Sequence, residues 1–396
     1  MVKLLFWASL GLVFYAFLGY GVVLRALVAL RRAVCGRRPT PPLPADEDQW
    51  PEVTLLICAW NEEAEVERKM RNCRELRYPA GRLHTVWCTD GSTDHTNALL
   101  AAYADARVLF EPERRGKTAA LNRAMTFITT PIVVFTDANT QLNADAVREI
   151  VAAFGDPTVG CVSGEKRIAV RAADGVAAGG EGAYWRYEST LKRWDSELCS
   201  TMGAAGELFA VRRELFRPMD VNMLLDDFIM SMLIVMDGYR IAYVPTAYAT
   251  ETGSASLAEE RKRKRRIAAG GLQSIWRLRR LMNPLRHPVV SFQMVSHRVL
   301  RWSVAPVALV ALVPLNVWLV AVRAGWVYDV ALACQALFYA LAAMGFADER
   351  RGRKRALTYI PMYFLFMNLN VFAGIRYLWR KQSGTGAWER ARRARP

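Results

Sequence analysis

The segment Ile132-Val-Val-Phe-Thr-Asp-Ala-Asn-Thr140 decides the fold that we predict for this chain. Its apolar residues predict a buried parallel strand, and such a strand delivers the polar residues that follow it to the carboxyl edge of the sheet, where ligands bind in open α/β folds. Asp137 and Asn139 would present oxygen atoms there, which are the ligands that Mg²⁺ or Mn²⁺ prefers. The same residues also end strands for reasons of turn formation or capping. The meaning of the segment therefore depends on the loops around it.

Strand and helix patterns alternate on both sides of this segment. The predicted strands cover residues 53–58, 85–88, 107–110 and 132–136, and the predicted helices cover residues 62–75, 94–103, 117–127 and 145–154. This alternation predicts a largely parallel sheet with helices on both faces. The later part is less regular, with helices predicted at 179–197 and 226–235 and strands at 207–211 and 241–244.

Four apolar stretches are long enough to span a bilayer. They are Leu4–Leu24, Val299–Val322, Val327–Ala347 and Leu357–Leu378. A cleaved signal peptide is an alternative for the first stretch, but arginines follow it where a small-residue cleavage site is required, so we expect a retained anchor. The fourth stretch contains Asn368 and Asn370, and polar groups in lipid need partners. A true span and a re-entrant segment therefore both remain open for it.

The positive charge of the chain lies beside these apolar stretches. The runs 25–38, 261–266, 348–355 and 376–396 carry +5, +6, +3 and +6, whereas the whole chain carries +16, so the remaining residues sum to −4. Basic residues next to membrane segments contact anionic lipids and accumulate on the cytoplasmic side. We therefore expect a multi-pass protein of the cell (inner) membrane with its middle domain in the cytoplasm. Membrane lipids are expected partners, and nucleic acid is not.

Seven cysteines occur without a Cys-x-x-Cys pair and without a histidine at metal-ligand spacing. This pattern predicts reduced, buried thiols in a cytoplasmic domain rather than disulfides or a zinc site.

Four loops at the predicted sheet edge carry groups that suit a nucleotide sugar. They are Ala59-Trp-Asn-Glu-Glu63, Thr89-Asp-Gly-Ser-Thr-Asp94, Arg114-Arg-Gly-Lys-Thr118 and the pair Asp137 and Asn139. Asp90 suits an acceptor of hydrogen bonds from a uracil N–H or a ribose hydroxyl. Lys117, at a helix N-terminus, favours a diphosphate. Each loop alone is an ordinary turn or a solvated helix start, whereas the ordered set predicts one binding site.

The same residues carry a resemblance to a known family. The segments Ala59-Trp-Asn-Glu62, Thr89–Asp94, Gly116-Lys117 with Ala120-Leu-Asn122, and the Asp-x-Asp position at Asp137 resemble the inverting family 2 glycosyltransferases. The resemblance is to their membrane-embedded branch, which contains cellulose, chitin and hyaluronan synthases. It continues through Gly206–Arg213 and Leu225-Asp-Asp-Phe228, and it covers residues 53 to 302. It implies a GT-A-type α/β fold with a mixed, mostly parallel sheet, helices on both faces, and transmembrane helices at both ends.

The resemblance also implies a mechanism and assigns residues to it. A carboxylate, Asp227, acts as general base while the nucleotide diphosphate leaves from the other face of the sugar, so that the anomeric configuration inverts. The expected donor is a UDP-sugar, the expected cofactor is Mg²⁺ or Mn²⁺, and the acceptor is a glycan or a lipid-linked group. Nucleotide-sugar binding is predicted for Ala59, Asn61, Glu62, Asp90, Lys117, Asp137 and Arg266, acceptor binding for Gly206, Glu207, Asp226 and Ile267, and metal binding for Asp137 and Asn139. Without the resemblance, the alternative for Asp226 and Asp227 is that they cap the following helix.

Two positions depart from the family pattern. The second acid of Asp-x-Asp is Asn139, a neutral ligand that weakens metal binding. The Gln-x-x-Arg-Trp motif is replaced by Arg263-Lys-Arg-Arg-Ile267, which keeps Arg266 but lacks the tryptophan that stacks on the acceptor sugar in polymerising relatives. Processive synthesis is therefore in doubt, and the basic run also suits contact with anionic lipid.

Three functions stay open at this point: transfer of one or a few sugars, processive synthesis of a secreted polysaccharide, and an inactive assembly subunit, which the intact Asp90, Asp137 and Asp227 argue against. Ser296-His297-Arg298 suits a lipid phosphate or snorkelling at the headgroup level.

The predicted domains are an N-terminal transmembrane helix (1–30), a basic, Pro-rich linker (31–51), a cytoplasmic GT-A domain (52–270), interfacial helices (271–298), a C-terminal transmembrane region (299–380) and a basic tail (381–396).

Overall fold

The computed structural model describes residues 1–38, 42–169, 177–252, 257–353 and 355–381. Part of the predicted Pro-rich linker (39–41) and, apart from Lys381, the predicted basic tail lie outside the described residues. The chain divides into two compact units. The sheet unit comprises residues 31–169 and 192–260, and the helix unit comprises residues 1–30, 170–191 and 261–382.

A single eight-stranded sheet organises the sheet unit, with the strand order β3-β2-β1-β4-β7-β6-β8-β5. The strands are β1 (Val53–Ala59), β2 (Leu83–Thr89), β3 (Ala106–Leu109), β4 (Ile132–Asp137), β5 (Gln141–Leu142), β6 (Val159–Ile168), β7 (Leu208–Arg212) and β8 (Arg240–Glu251). The parallel pairs are β1 with β2, β1 with β4, β2 with β3, and β6 with β8. The antiparallel pairs are β7 with β4, β7 with β6, and β5 with β8. The prediction of a mixed, mostly parallel sheet is confirmed.

Strands β1 and β4 are buried along almost their whole length, so both faces of the central sheet are covered. The helices that flank the strands of this unit are α3 (Glu63–Arg74), α4 (Thr96–Leu100), α5 (Lys117–Phe127), α6 (Ala146–Ala153) and α8 (Asp226–Met236). Short 3₁₀ turns occupy Glu47–Gln49 and Arg213–Leu215. Because β1 and β4 are neighbours and parallel, their carboxyl ends bring the loops after Ala59 and Asp137 to the same sheet edge.

Strand β6 was not predicted, and two glycines explain why its sequence pattern is weak. A Cβ atom on Gly160 would lie 2.6 Å from Ile234, and one on Gly164 would lie 2.7 Å from Leu208. Glycine in a strand interior commonly marks such close approach of neighbouring groups. Helix α4 is also shorter than predicted, because the chain turns after Leu100 instead of continuing to residue 103.

Four helical segments of the described chain are long and apolar enough to cross a membrane: Val2–Cys35, Pro288–Ala321, Trp326–Arg350 and Ala356–Trp379. In the helix unit, a π-helical turn joins α1 (Val2–Phe14) to α2 (Tyr20–Cys35), and the π-helical segment Val295–Val304 joins α10 (Pro288–Met294) to α11 (Ala305–Ala321). The unit also contains α12 (Trp326–Arg350) and α13 (Ala356–Lys381). Parts of α7 (Ala177–Leu198) and α9 (Leu257–Arg277) complete it. A 3₁₀ turn follows at Arg279–Met282. The second segment begins at Pro288, earlier than the predicted start at Val299, because the π-helical segment continues the helix.

The fourth segment is one continuous helix in which two asparagine side chains bond to the helix backbone. The side-chain amide of Asn368 donates to the carbonyl of Phe364 at 2.8 Å, and that of Asn370 donates to the carbonyl of Phe366 at 2.7 Å. Polar side chains are tolerated in lipid when such partners are present. The segment is therefore long and apolar enough to cross a membrane with both asparagine side chains paired.

Gly345 allows helices α12 and α13 to pack closely, and this contact is testable. A Cβ atom on Gly345 would lie 2.4 Å from the carbonyl oxygen of Thr358, whereas one on Gly11 would meet nothing within 4 Å. We expect Gly345→Ala to lower the thermal midpoint of the detergent-purified protein, since overpacking costs about 1–3 kcal/mol. Gly11→Ala makes the same chemical change in another apolar helix and should leave the midpoint unchanged or raise it. Equal midpoints for the two variants would contradict the packing.

Candidate active site

Three of the predicted loops meet around Asp90, which is buried. Its carboxylate accepts hydrogen bonds from the backbone N–H groups of Arg115 at 2.9 Å and Gly116 at 2.7 Å, and its own N–H donates to the carbonyl of Ala59 at 3.1 Å. Asp90 therefore ties the loop after β1 to the N-terminus of α5. Asp90, which we predict to bind the nucleotide, is thus also a structural anchor of the site.

The glycine that follows Asp90 is required by the approach of the third loop. Gly91 has a φ of 66°, and a Cβ atom there would lie 2.5 Å from the backbone nitrogen of Arg114. The guanidinium of Arg114 in turn lies 3.4 Å from the ring centre of Trp60. This cation–π contact joins the first and third loops and was not predicted from the sequence.

The loop after β1 is held by its own polar side chains. Asn61 adopts a left-handed φ of 54°, and its side-chain oxygen accepts a hydrogen bond from the N–H of Thr93 at 2.8 Å. The N–H of Glu62 donates to the hydroxyl of Thr96 at 2.9 Å. Asn61 and Glu62 therefore lie beside the Asp90 loop, as expected for residues of one site, and part of their bonding capacity shapes the loops.

Lys117 and Asp137 form an ion pair at the sheet edge. The ammonium nitrogen lies 2.8 Å from the carboxylate of Asp137, and both side chains are about a quarter to a third exposed. Burial opposes the charge on Lys117, but the carboxylates of Asp137 and Asp226 together raise the pKa of Lys117 above its ordinary value. Lys117 is thus paired with the end of β4 and is also influenced electrostatically by Asp226 at the start of α8.

Asp227, the predicted general base, is half-buried at the start of α8. Burial and the neighbouring carboxylate of Asp226 raise the pKa of Asp227 to about 7, while Lys117 lowers it. Gly206 lies directly against this group, because a Cβ atom there would be 2.6 Å from the Asp227 carboxylate. A carboxylate with a pKa near neutrality is suited to accept a proton at physiological pH.

Glu207 belongs to a buried ion cluster beside Asp227. Lys166 contacts the carboxylates of both Glu207 and Glu251, and Glu251 is fully buried. The backbone carbonyl of Glu207 also accepts a hydrogen bond from the hydroxyl of Thr136 at 3.1 Å. This bond connects the Gly206-Glu207 segment to the end of β4. The side chain of Glu207 is therefore engaged with Lys166, so its predicted contact with an acceptor stays a prediction.

A buried lysine supports the loop that carries Asp137 and Asn139. Lys69 on α3 is fully buried and donates to the hydroxyl of Thr136 at 3.0 Å and to the carbonyl of Thr140 at 2.9 Å. Burial lowers its pKa to about 8. Sequence reasoning missed this residue, although its spacing from Val66 and Cys73 places it on the apolar face of the helix.

The donor set at Asp137 fits a divalent metal that takes most of its ligands from a bound substrate. The described residues contain no group of three His, Cys, Asp or Glu side chains arranged to hold a metal ion. Mg²⁺ is commonly held by one or two carboxylates together with phosphate oxygens and water. The half-exposed carboxylate of Asp137 suits that mode, with Asn139 two residues further along the same loop.

Arg266 and Ile267 lie on α9 and belong to the helix unit. Both are half-buried, and Ile267 lines a cavity within that unit. Their predicted contacts with the diphosphate and the acceptor stay predictions.

The cysteine prediction is only partly right, because all seven thiols are free but Cys35 and Cys334 are exposed.

Comparison with known proteins identifies the sheet unit. The family described as "Glycosyltransferase like family 2" matches residues 51–270, which is more than half of the chain. A mannosyltransferase from Pyrobaculum calidifontis, solved in complex with GDP-Man and Mn²⁺, superposes with a TM-score of 0.71 at 25% identity and covers 96% of this chain and 100% of that one. The predicted GT-A-type fold is therefore confirmed.

Two groups of curated proteins are similar in sequence. A β-monoglucosyldiacylglycerol synthase of Synechocystis sp. is 28% identical over 265 residues, which are 63% of this chain and 54% of that protein. A poly-β-1,6-N-acetyl-D-glucosamine synthase of Staphylococcus aureus is 25% identical over 240 residues, which are 58% of this chain and 57% of that protein. The chain thus spans about half the length of the curated relatives that it matches.

The charge arrangement around Asp227 can be tested without any substrate. Asp226 raises the pKa of Asp227 and Lys117 lowers it, so Asp226→Asn should shift this pKa below 7 and Lys117→Met should shift it further above 7. Carbon NMR of aspartate-labelled protein in detergent follows the titration, with Asp227→Asn assigning the signal. Shifts of the same sign in both variants would contradict the arrangement.

Proposed function

The chain belongs to glycosyltransferase-like family 2, and we propose that it transfers a sugar from a nucleotide diphosphate sugar to the hydroxyl of a lipid-linked or glycan acceptor, with inversion at the anomeric carbon. The observation that carries the proposal is the ion pair of Lys117 with Asp137 at the carboxyl edge of the sheet, together with Asp226 and Asp227 at the start of α8, whose carboxylates interact electrostatically with Lys117. This edge is where ligands bind in open α/β folds.

Binding of the donor rests on the N-terminus of α5. The positive end of this helix and the ammonium of Lys117 would attract the diphosphate, and Asp90 holds the preceding loop in place. Asp137, with Asn139, would hold a divalent metal, which when bound neutralises charge on the diphosphate as it leaves. The similar mannosyltransferase was solved with Mn²⁺, which supports a divalent metal without identifying it.

In the proposed reaction, Asp227 is the general base. The acceptor hydroxyl loses its proton to the Asp227 carboxylate as its oxygen bonds to the anomeric carbon. The bond between that carbon and the diphosphate oxygen breaks on the opposite face, and the nucleoside diphosphate leaves with the electron pair. Gly206 lies directly against the Asp227 carboxylate, where a Cβ atom would crowd it at 2.6 Å. Burial and Asp226 raise the pKa of Asp227 to about 7, which makes the ionised carboxylate a stronger base for this proton.

We propose transfer of one or a few sugars as the principal activity, because Ile267 stands where polymerising relatives carry an acceptor-stacking tryptophan. Processive synthesis is the second candidate, supported by the similarity to the poly-β-1,6-N-acetyl-D-glucosamine synthase.

The catalytic unit is proposed to face the cytoplasm, since the basic runs flank the apolar helices. We propose UDP as the donor nucleotide, and GDP is the competing possibility, because the similar mannosyltransferase was solved with GDP-Man.

Asp227→Asn should remove transfer by at least about a thousandfold, because the general base is lost. Donor turnover is measured as nucleoside diphosphate released by the full-length protein in detergent with Mn²⁺ and an acceptor mixture. Asp237→Asn, at the other end of the same helix and paired with Arg217, is the matched control and should retain activity. Transfer that survives Asp227→Asn would refute the assignment.

The pH dependence of the wild-type enzyme should report the same group. Because the pKa of Asp227 is raised to about 7, the carboxylate is protonated below that pH and cannot accept a proton. We expect kcat/KM to fall about tenfold per pH unit below the apparent pKa and to level off above it. A profile that is flat from pH 5 to 8 would contradict the role of this carboxylate.

Product sizing separates the two candidate activities. The full-length protein is incubated with UDP- and GDP-sugars in turn, with Mn²⁺ and a lipid-linked acceptor, and the products are resolved by mass. Additions of one or a few sugars support the proposal, and a long polymer supports processive synthesis. Ile267→Trp should lengthen the product if the missing tryptophan limits chain extension.

A further inference from the structure

A cavity of about 180 Å³ lies within the helix unit and is separate from the residues assigned to catalysis, apart from Ile267. Its walls come from the first, second and fourth apolar helical segments and from α7 and α9. This volume is well above the roughly 10–15 Å³ that a single water requires by the same measure. It is therefore large enough to take a small polar group.

The charged side chains of the cavity are mainly cationic. Lys264, Arg298 and Arg301 line it together with a single carboxylate, that of Glu188. Arg301 contacts Glu188 and also donates to the backbone carbonyl of Ala16 at 2.8 Å. The balance of the lining charges is therefore positive, and it suits an anionic group.

The carboxylate has a structural role that fixes the cationic wall. Glu188 is buried, and His297, which is fully buried, lies 3.4 Å from it on the side of the second apolar segment. A buried carboxylate of this kind needs partners, and it holds Arg301 in one orientation. The polar end of the cavity is thus a built arrangement rather than a set of mobile surface side chains.

The remaining wall of the cavity is aromatic and apolar. On this side the cavity opens to the outer surface of the helices. Lys264 lies over the ring of Tyr363 at 5.7 Å, and Arg298 lies over the ring of Trp302 at 5.5 Å. Ile360 lines the same cavity and is 54% exposed. An exposed aliphatic residue on a membrane-crossing helix faces lipid. The cavity therefore joins a cationic interior to a lipid-facing rim.

We propose that this cavity binds the phosphate headgroup of an anionic membrane lipid, with the phosphate against Lys264, Arg298 and Arg301 and the hydrocarbon chains leaving past Ile360. Basic pockets between membrane helices on the cytoplasmic side are suited to phosphate-bearing lipids. A soluble phosphate offers the same charge without the chains. The site does not depend on the sugar-transfer chemistry proposed for the sheet unit.

The test compares lipids that differ only in the phosphate. The full-length protein, purified in detergent, is mixed with dioleoyl phosphatidate, dioleoylglycerol or inorganic phosphate. Native mass spectrometry measures the ligand that the protein retains, and thermal unfolding measures its midpoint. Phosphatidate should be retained and should raise the midpoint, whereas dioleoylglycerol and inorganic phosphate should do neither. Equal retention of dioleoylglycerol would overturn the headgroup site, and equal stabilisation by inorganic phosphate would overturn the lipid assignment.

Two variants from different helices locate the site. Lys264→Gln and Arg298→Gln should each weaken phosphatidate retention by about tenfold or more, because each removes a charged contact to the phosphate. Arg71→Gln removes the same charge from an exposed position in the sheet unit, outside the basic runs, and should leave retention unchanged. Size-exclusion chromatography confirms that each variant is folded. Unchanged retention in both cavity variants would refute the proposal.

Discussion

The ion pair between Lys117 and Asp137 is the constraint on which the arrangement of the sheet edge depends. The ammonium group of Lys117 contacts the carboxylate of Asp137. The carboxylates of Asp137 and Asp226 raise the pKa of Lys117, and Lys117 in turn lowers the pKa of Asp227. An anion that bound at the N-terminus of α5 would share Lys117 and weaken this effect. A diphosphate that arrives with a divalent cation changes the local charge much less, which gives a physical reason for the two to bind together.

The backbone supports this charge arrangement from below. The hydroxyl of Thr136 contacts both the buried Lys69 and the carbonyl of Glu207, so one residue at the end of β4 joins the Asp137 loop to the segment beside Asp227. Asp90 fixes the start of α5 in the same way. Side chains of opposite charge can therefore be held close together before any ligand binds, which reduces the reorganisation that catalysis requires.

The sequence predicted those parts of the fold whose local pattern agrees with their tertiary environment. Strand β4 and helix α5 were predicted closely, because a fully buried strand reads as an apolar run and because Gly116-Lys117 marks a helix start. Strand β6 was missed, since Gly160 and Gly164 are there for contacts with Ile234 and Leu208 that no local pattern encodes. Lys69 was missed for the same kind of reason: its partners, Thr136 and Thr140, are about 70 residues away along the chain.

The central claim is that Asp227 directs an acceptor hydroxyl to the face of the sugar opposite the departing diphosphate. The most direct test is the anomeric configuration of the product, read from the proton NMR coupling constant of the newly linked sugar. A configuration opposite to that of the donor is the predicted result. Retention of the donor configuration would require an intermediate on the other face of the sugar and would contradict the single displacement derived from this site.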